Sequence, residues 1–124
     1  MGLLSTHVLD TMRGRPARGV VLELYALSAD GTRALITQTT TNADGRTDAA
    51  LLEGAGFRPG CYEIVFHLGD YFRRLGGPVA DPPFFDLVPV RFELVESDYH
   101  YHVPVIAAPW TYSTYRGNPA SNVS

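Results

Sequence analysis

Turn-forming glycines and prolines recur along the whole sequence and leave no room for a long helix. Twelve glycines and nine prolines are spread over 124 residues, and dipeptides such as Asp30-Gly31, Asp44-Gly45 and Pro59-Gly60 mark turns. Between the turns lie short runs rich in β-branched and aromatic residues, at 20–27, 35–41, 61–67, 88–95 and 101–107. Short strands separated by such turns are typical of an all-β protein.

Alternation within these runs indicates a sheet with one buried face. In the run 61–67, Tyr62, Ile64 and Phe66 share one face, which we expect to be the core side. One segment, 68–75, instead has its apolar residues on a helical stripe and is ended by Gly76-Gly77-Pro78. The pattern as a whole predicts an antiparallel β-sandwich of two sheets with one short helix.

Length and charge limit the classes of partner. The chain fits one domain, and 45% hydrophobic residues suffice to bury a core. A net charge of -3, with no basic cluster longer than Arg73-Arg74, argues against nucleic acid. No apolar run approaches the roughly twenty residues that a membrane helix needs. The first residues have no basic region typical of a signal peptide, so the expected location is the cytoplasm.

Cofactor and cysteine chemistry find little support. There is no phosphate-binding glycine loop with Lys-Ser/Thr, no Gly-x-Ser-x-Gly turn and no Cys-x-x-Cys pair, so no cofactor is expected. The single cysteine, Cys61, lies in an apolar run and is interpreted as a small buried hydrophobic residue. Glu63, on the same strand face, would discourage a thiolate.

Histidine is the side chain best suited to proton transfer near neutral pH, and the chain has four: His7, His67, His100 and His102. Strand parity places His7 on one face with Ser5 and Leu9, where a rigid imidazole could act as a base or be merely structural.

His100 and His102 are two residues apart and therefore share a strand face, about 7 Å apart. This spacing is compatible with a metal pair or with a base beside a binding group. A catalytic zinc would need a third ligand, and no acidic residue or cysteine accompanies either histidine segment, so no metal is expected.

Two further segments are candidates for substrate contact. Arg46 follows the turn Asp44-Gly45, where its guanidinium could fix a carbonyl or an anion, or could simply be solvated. The stretch 110–117 is dense in hydroxyl groups and aromatic rings, which suits an edge strand or a binding surface.

Four segments together resemble the transthyretin-like family, and within it the 5-hydroxyisourate hydrolases of urate breakdown. They are Leu-Ser-Thr-His-Val-Leu-Asp at 4–10, Asp-Gly-Arg at 44–46, His-Tyr-His-Val-Pro at 100–104 and Tyr-Ser-Thr-Tyr-Arg-Gly at 112–117. The resemblance implies a hydrolase domain over 1–117 and a homotetramer, a dimer of dimers whose sites lie at the dimer–dimer interface.

The same resemblance implies the site residues. His7, Arg46 and His102 would be catalytic, and His7, Arg46, Tyr115, Arg116 and Gly117 would bind the substrate. His7 and His102 would handle protons, Arg46 would polarise the carbonyl under attack, and Tyr115 would orient the substrate ring. Which histidine is the base stays open. Because an unperturbed histidine becomes charged near pH 6.5, activity is expected to fall below about pH 6.

The implied reaction is hydrolytic opening of the six-membered ring of 5-hydroxyisourate. The product would be 2-oxo-4-hydroxy-4-carboxy-5-ureidoimidazoline, a step towards allantoin. Two other classes remain open: a carrier of small aromatic ligands, as transthyretin is, and a structural sandwich that binds proteins. In transthyretin, the positions matching His7, Arg46 and His102 hold a lysine, a glutamate and a threonine, which favours the enzyme.

One departure from the family pattern lies at the end of the last motif. The family pattern ends Tyr-Arg-Gly-Ser, whereas Asn118 follows Gly117 here and six more residues follow it. Asn118 is assigned no catalytic role. The segment 118–124 is expected to be a flexible tail, since Val123 is its one large apolar residue.

Overall fold

The described part of the protein folds into short strands with one α-helix. The structure, a computed structural model, describes residues 2–77 and 79–118. Over these residues the elements are β1 (Leu3–Asp10), β2 (Arg15–Pro16), β3 (Val21–Leu27), β4 (Arg33–Thr40), β5 (Leu52–Glu53), β6 (Gly60–His67), α1 (Leu68–Leu75), β7 (Leu87–Leu94), β8 (His100–Ala108) and β9 (Thr111–Thr114). A single 3-10 turn, Gly54–Gly56, follows β5.

The strands form two sheets. The β1 sheet has the order β2-β1-β8-β9, and β5 also pairs with β1. The β3 sheet has the order β4-β3-β6-β7. The predicted all-β sandwich of two sheets with one short helix is therefore confirmed.

One strand pair departs from the antiparallel expectation. β1 and β8 run parallel, in a register from Leu3 opposite His100 to Asp10 opposite Ala107. Parallel neighbours need a long crossover, and here the whole β3 sheet lies between β1 and β8 along the chain. Alternation within each strand carries no information about this direction, which is why the sequence did not reveal it.

The core fills the space between the sheets. Leu4 and Val8 of β1 meet Ile64 and Phe66 of β6, and all four are fully buried. The predicted core face of β6 is thus confirmed, but its opposite face is not open to solvent. Glu63 lies there, buried, and accepts hydrogen bonds from two arginine side chains, those of Arg33 and Arg91.

Cys61 is half-buried rather than buried. It lies near the start of β6, on the same face as Glu63, where the sheet covers it less completely. The buried position expected for Cys61 was wrong for this reason. Its thiol has a raised pKa, chiefly because of burial and then because of Glu93, which agrees with an unreactive thiol.

The helix occupies the predicted segment. α1 spans Leu68–Leu75, with Leu68, Tyr71 and Phe72 buried, whereas Leu75 at the end of the apolar stripe is exposed. Gly76 follows with φ 74°, in the left-handed region that favours glycine. Among the described residues, no helix is both long and apolar enough to cross a membrane.

The tail predicted at 118–124 can be followed only at its first residue. Asn118 is exposed, and residues 119–124 lie outside the described part of the chain. The domain boundary at 117 and the flexible tail therefore remain predictions.

A buried carboxylate joins β1 to the helix. Asp10, at the end of β1, accepts hydrogen bonds from the Tyr71 hydroxyl at 2.7 Å and from the backbone N–H of Arg13 at 3.0 Å. Burial, followed by the contact with Asp10, raises the pKa of Tyr71 well above its usual range, so the hydroxyl stays protonated and donates.

We expect Tyr71→Phe to lower the free energy of unfolding by about 1–3 kcal/mol, because the variant leaves a buried carboxylate without one of its donors. Urea unfolding would measure the change. Tyr25→Phe is the matched control, since the Tyr25 hydroxyl makes a longer 3.3 Å bond to Glu23 at a half-buried position. Equal losses in the two variants would contradict a special role for the Asp10 contact.

Candidate active site

The face of the β1 sheet that points away from the core carries the candidate residues. Leu4 and Val8 point into the core, so Ser5 and His7, between and beside them, point outwards. On β8 the same alternation turns His100 and His102 outwards. The parallel register then places Ser5 directly opposite His102. We call this surface the outer face.

Two of these histidines are buried although they point away from the core. His7 is 8% exposed and His102 is 6% exposed. Neighbouring segments of irregular chain cover them: the turn 42–46 lies over His7, and the chain after β9 lies over His102. The outer face is therefore partly shielded from solvent, whereas antiparallel sheets commonly have one solvated face.

His7 is fixed by a backbone carbonyl. Its Nε2 lies 2.7 Å from the carbonyl oxygen of Asp44. A carbonyl can only accept, so Nε2 carries the hydrogen, and the neutral ring has a bare lone pair on Nδ1. Among the described residues, this buried Nδ1 has no hydrogen-bond partner. His7 is therefore suited to act as a base, because its Nδ1 lone pair can accept a proton.

Gly45 allows the turn to approach the His7 ring. Its φ is 77°, and a Cβ at this position would lie 3.1 Å from Cδ2 of His7 and would collide with the carbonyl oxygen of Val8. The backbone carbonyl of Gly45 accepts a 2.8 Å bond from the N–H of Val8, which ties the turn to β1. Glycine is therefore required both for backbone conformation and for space.

Arg46 is held by the same turn. The side-chain oxygen of Asn42 accepts bonds from the backbone N–H groups of Asp44 and Arg46, and the N–H of Asn42 donates to the carbonyl of Arg46 at 2.7 Å. Arg46 is half-buried, and its charge acts on both His7 and His102. The structure thus brings these three predicted catalytic residues into one electrostatic environment.

His102 is held from two sides. Its Nδ1 lies 2.8 Å from the hydroxyl of Ser5, and its carbonyl accepts a 2.7 Å bond from the N–H of Gly117. A Cβ on Gly117 would come within 2.6 Å of Cδ2 of the His102 ring. Gly117 is therefore a residue that makes room for the imidazole, which explains in physical terms why a glycine ends the motif.

The environment keeps both imidazoles neutral. Burial, followed by the Arg46 charge, lowers the pKa of His7 below its ordinary 6.5, against an opposing effect of the hydrogen bond to Asp44. Burial, followed by the charges of Arg46, His100 and His7, lowers the pKa of His102 to about 4. At neutral pH each ring therefore has one lone pair and one N–H.

Tyr115 and Arg116 lie beside His102 rather than beside His7. Together with His102 they line a pocket of about 250 Å³ at the open edge between β7 and β8. Tyr115 is 48% exposed, and the guanidinium of Arg116 lies over the ring of Tyr99 at 4.4 Å. His7 and Arg46 are not among the described residues that line this pocket. The six predicted site residues thus form two groups, and His102 interacts with both. One group is His7 and Arg46, and the other is Tyr115, Arg116 and Gly117.

Ser5 is the contact that the sequence argument did not use. Its hydroxyl lies within hydrogen-bond distance of both His100 and His102. Strand parity places Ser5 on the same face as His7, but the sequence does not show that β1 pairs with β8. Within residues 2–77 and 79–118, no group of three or more histidine, cysteine or acidic side chains is placed to hold a metal ion.

Removing the Arg46 charge should raise the pKa of both buried histidines. A nearby cation disfavours the imidazolium form, so Arg46→Gln relieves this effect, whereas burial still keeps both values below 6.5. NMR titration of the histidine ring protons would measure the change. Arg58→Gln, which removes an exposed arginine outside the turn 42–46, is the control. Unchanged values in Arg46→Gln would place its guanidinium away from the site.

Comparison with known proteins shows the family to which the chain belongs. The sequence model of the HIUase/Transthyretin family matches residues 4–117. A relative named 5-hydroxyisourate hydrolase 2, from Rhizobium meliloti (strain 1021), is 56% identical over 117 residues, which cover 94% of this chain and 97% of the relative.

Two solved structures have the same fold. The 5-hydroxyisourate hydrolase of Klebsiella pneumoniae is 33% identical and superposes with a TM-score of 0.77, covering 95% of this chain and 100% of that one. Transthyretin from Sparus aurata is 28% identical with a TM-score of 0.82, covering 92% and 95%. With the match over 4–117 and relatives of this identity, the chain belongs to the HIUase/Transthyretin family.

Proposed function

We propose that this protein is a 5-hydroxyisourate hydrolase, which adds water to an amide-like carbonyl of 5-hydroxyisourate and opens the six-membered ring. The product is 2-oxo-4-hydroxy-4-carboxy-5-ureidoimidazoline, and the reaction belongs to the degradation of urate towards allantoin. One observation carries the proposal: two neutral, buried histidines lie on one sheet face under the charge of Arg46. The name of the Rhizobium relative supports the choice of substrate. The cytoplasm, predicted from the sequence, is the proposed location.

His7 is the base in this mechanism. Its bare Nδ1 accepts the proton of the attacking water, while the carbonyl of Asp44 keeps the other nitrogen occupied and the ring in one orientation. As the ring becomes an imidazolium, the Nε2–H bond to that carbonyl strengthens, because the donor is now charged. A positioned base of this kind contributes about 10²- to 10⁴-fold to the rate.

Arg46 and His102 act on the carbonyl under attack. The Arg46 guanidinium polarises it and stabilises the negative charge that develops on its oxygen, which is worth about 10²- to 10³-fold. The proton that His7 takes from water then passes to the ring nitrogen whose bond to the carbonyl carbon breaks, and His102 takes part in this transfer. The Asn42 turn fixes the backbone of Arg46, and the Ser5 hydroxyl holds the His102 ring, before substrate binds, so little reorganisation is needed. No step requires a metal or a cofactor.

The C-terminal motif completes the substrate site. Tyr115, half-exposed beside the pocket that reaches His102, orients the substrate ring through its hydroxyl. Gly117 keeps the space for the His102 ring. Arg116 is the proposed binding residue with the least direct access, because its guanidinium lies over two tyrosine rings, those of Tyr99 and Tyr101.

His7→Asn should lower kcat by about 10²- to 10⁴-fold, since asparagine cannot take up the water proton. 5-Hydroxyisourate would be generated from urate with urate oxidase, and its ultraviolet decay followed with and without the variant. Circular dichroism of the product reports whether one enantiomer forms. His67→Asn is the matched control, because His67 lies on β6, in the other sheet, beside Glu23. Near-wild-type turnover by His7→Asn would remove His7 from the mechanism.

The pH profile of kcat/KM should extend further into acid than the sequence alone predicts, because kcat/KM reports the groups of the free enzyme. The expected fall below about pH 6 assumed an unperturbed histidine, whereas burial lowers the pKa of His7 and lowers that of His102 to about 4. A base with a lowered pKa stays unprotonated until the pH falls to that lower value. We therefore correct the expectation: the acid limb of the wild-type profile should lie below about pH 6, and a limb at or above pH 6 would contradict the assignment.

A second copy of the chain completes the site in this proposal. The outer face carries apolar side chains beside the histidines, with Leu9 and Ile106 directly paired and both half-buried. Trp110, in the turn that follows β8, is 58% exposed. A self-complementary contact through such a face is the commonest way to build a symmetric oligomer. We propose a homotetramer, a dimer of dimers, in which two outer faces meet and enclose the sites.

Ile106→Glu should split the assembly and reduce turnover together, because a charge would lie in the apolar centre of the contact. Light scattering after size-exclusion chromatography measures the mass, and circular dichroism checks that each subunit remains folded. Leu35→Glu, an exposed position on β4 in the other sheet, is the control and should leave the mass unchanged. A folded Ile106→Glu variant of wild-type mass would contradict this interface.

A further inference from the structure

Four arginine side chains line a second pocket, of about 530 Å³, between the segment 11–20 and the helix α1. Three come from that segment and one from the helix: Arg13, Arg15, Arg18 and Arg74. The fold assembles this cluster, since Arg74 lies 55 positions after the residue of the segment that it contacts. None of the described residues that line this pocket is one of the six proposed site residues, so the two sites are separate.

Two of these arginines are held in place by reciprocal contacts between the segment and the helix. The guanidinium of Arg13 donates to the backbone carbonyl of Gly76, just after α1, at 3.3 Å. The guanidinium of Arg74, on α1, donates to the backbone carbonyl of Gly19 at 3.1 Å and lies 5.9 Å from the centre of the buried Tyr71 ring. A guanidinium has five N–H groups, so both arginines keep donors that can bind a ligand.

Most of the positive charge of this cluster is not compensated. Asp10 accepts from Arg13 at 3.3 Å, but this carboxylate is buried and does not line the pocket. Arg15 and Arg18 are exposed, and neither makes an ion pair or a side-chain hydrogen bond with the described part of the chain. Arg74 has no acidic partner among the described residues either. In a chain with a net charge of -3, three cations thus face one pocket without a neutralising acid.

This concentration of charge favours an anionic ligand. Like charges that are brought together by folding repel one another, and a cleft lined by one sign of charge attracts ions of the opposite sign. The planar fork of a guanidinium matches the oxygens of a carboxylate or a phosphate. A phosphate suits several arginines better than a carboxylate does, because it carries about two negative charges near neutral pH and offers three acceptor oxygens.

We propose that this pocket binds the phosphate groups of a small phosphorylated molecule. Its volume of about 530 Å³ lies within the usual range of small-molecule sites. Arg13 and Arg74 are oriented before the ligand binds, by their contacts with backbone carbonyls, and Arg15 and Arg18 supply the remaining donors. The site is additional to the hydrolase site proposed above and does not depend on it.

Calorimetric titration of the intact protein with pyrophosphate, in a chloride buffer of low ionic strength, measures the binding. We expect one site per chain, with an affinity that falls as salt is added. Arg15→Gln/Arg18→Gln should weaken binding at least about tenfold, because charge-assisted hydrogen bonds are lost. Arg58→Gln/Arg73→Gln is the matched control, which removes the same charge outside the pocket, where Arg73 already pairs with Asp70. Equal losses in the two double variants would show attraction to overall charge alone and would contradict the proposal.

Thermal unfolding separates binding from folding. A ligand that binds only the folded chain raises Tm as its concentration increases, so pyrophosphate should raise the Tm of the wild type but not that of Arg15→Gln/Arg18→Gln. Without pyrophosphate, the double variant should be at least as stable as the wild type, because it relieves repulsion between like charges. A double variant that is less stable without the anion would give these arginines a structural role instead, against the proposal.

Competition experiments identify the kind of molecule that carries the phosphate. ADP should displace pyrophosphate from the wild type, because the same phosphate oxygens would occupy the arginines, and its binding should be weakened in Arg15→Gln/Arg18→Gln as well. Sedimentation with phosphatidylglycerol vesicles tests a lipid headgroup as the source of the phosphate. Failure of ADP to compete, or binding to the vesicles without binding to pyrophosphate, would overturn the proposal of a site for a small phosphorylated molecule.

Discussion

The parallel pairing of β1 with β8 is the constraint on which the site depends. It joins the first strand to a strand near the other end of the chain, and its register brings Ser5 opposite His102 and His7 opposite Pro104. Because side chains alternate along a strand, a slip of one residue in β1 would turn His7 towards the core and Leu4 and Val8 towards solvent. Four fully buried residues pack between the sheets and therefore fix the geometry of the site as well as stabilise the fold: Leu4, Val8, Ile64 and Phe66.

The covering of the outer face gives that geometry its chemistry. A histidine on an open sheet face would keep a nearly ordinary pKa, whereas the turn that carries Arg46 and the chain around Gly117 exclude water from His7 and His102. Burial and a neighbouring cation act in the same direction, so both rings stay neutral. The two glycines of these segments, Gly45 and Gly117, have no side chain to separate the covering chain from the imidazoles. Backbone shape and electrostatics are thus parts of one arrangement.

Local pattern was enough to predict most of the long strands and the helix, but not which strands pair. Runs of β-branched and aromatic residues between turns located every strand of the β3 sheet, and the stripe from Leu68 ended at Gly76 as expected. The direction of β8 relative to β1 is a property of the whole fold, so the Ser5 bridge could not be found from sequence. The lowered pKa values of His7 and His102 could not be predicted for the same reason, because the burial of an outward-facing histidine depends on covering segments that are distant in sequence. Cys61 is half-buried rather than buried as predicted, whereas Glu63 on the same strand face is buried because arginines of neighbouring strands cover it.

The fold does not distinguish an enzyme from a carrier, because this chain superposes at least as well on a transthyretin as on a hydrolase. The distinction must come from the outer face. A carrier of apolar ligands gains nothing from a buried imidazole nitrogen that has no partner among the described residues, and such a group costs stability. The unpaired Nδ1 of His7 lowers the stability of the fold, and this loss is explained if Nδ1 binds a proton or a substrate atom during catalysis. The same fixed turn that leaves this lone pair bare supplies the cation that polarises the bond under attack, so the site is arranged for proton transfer rather than for holding a ligand unchanged.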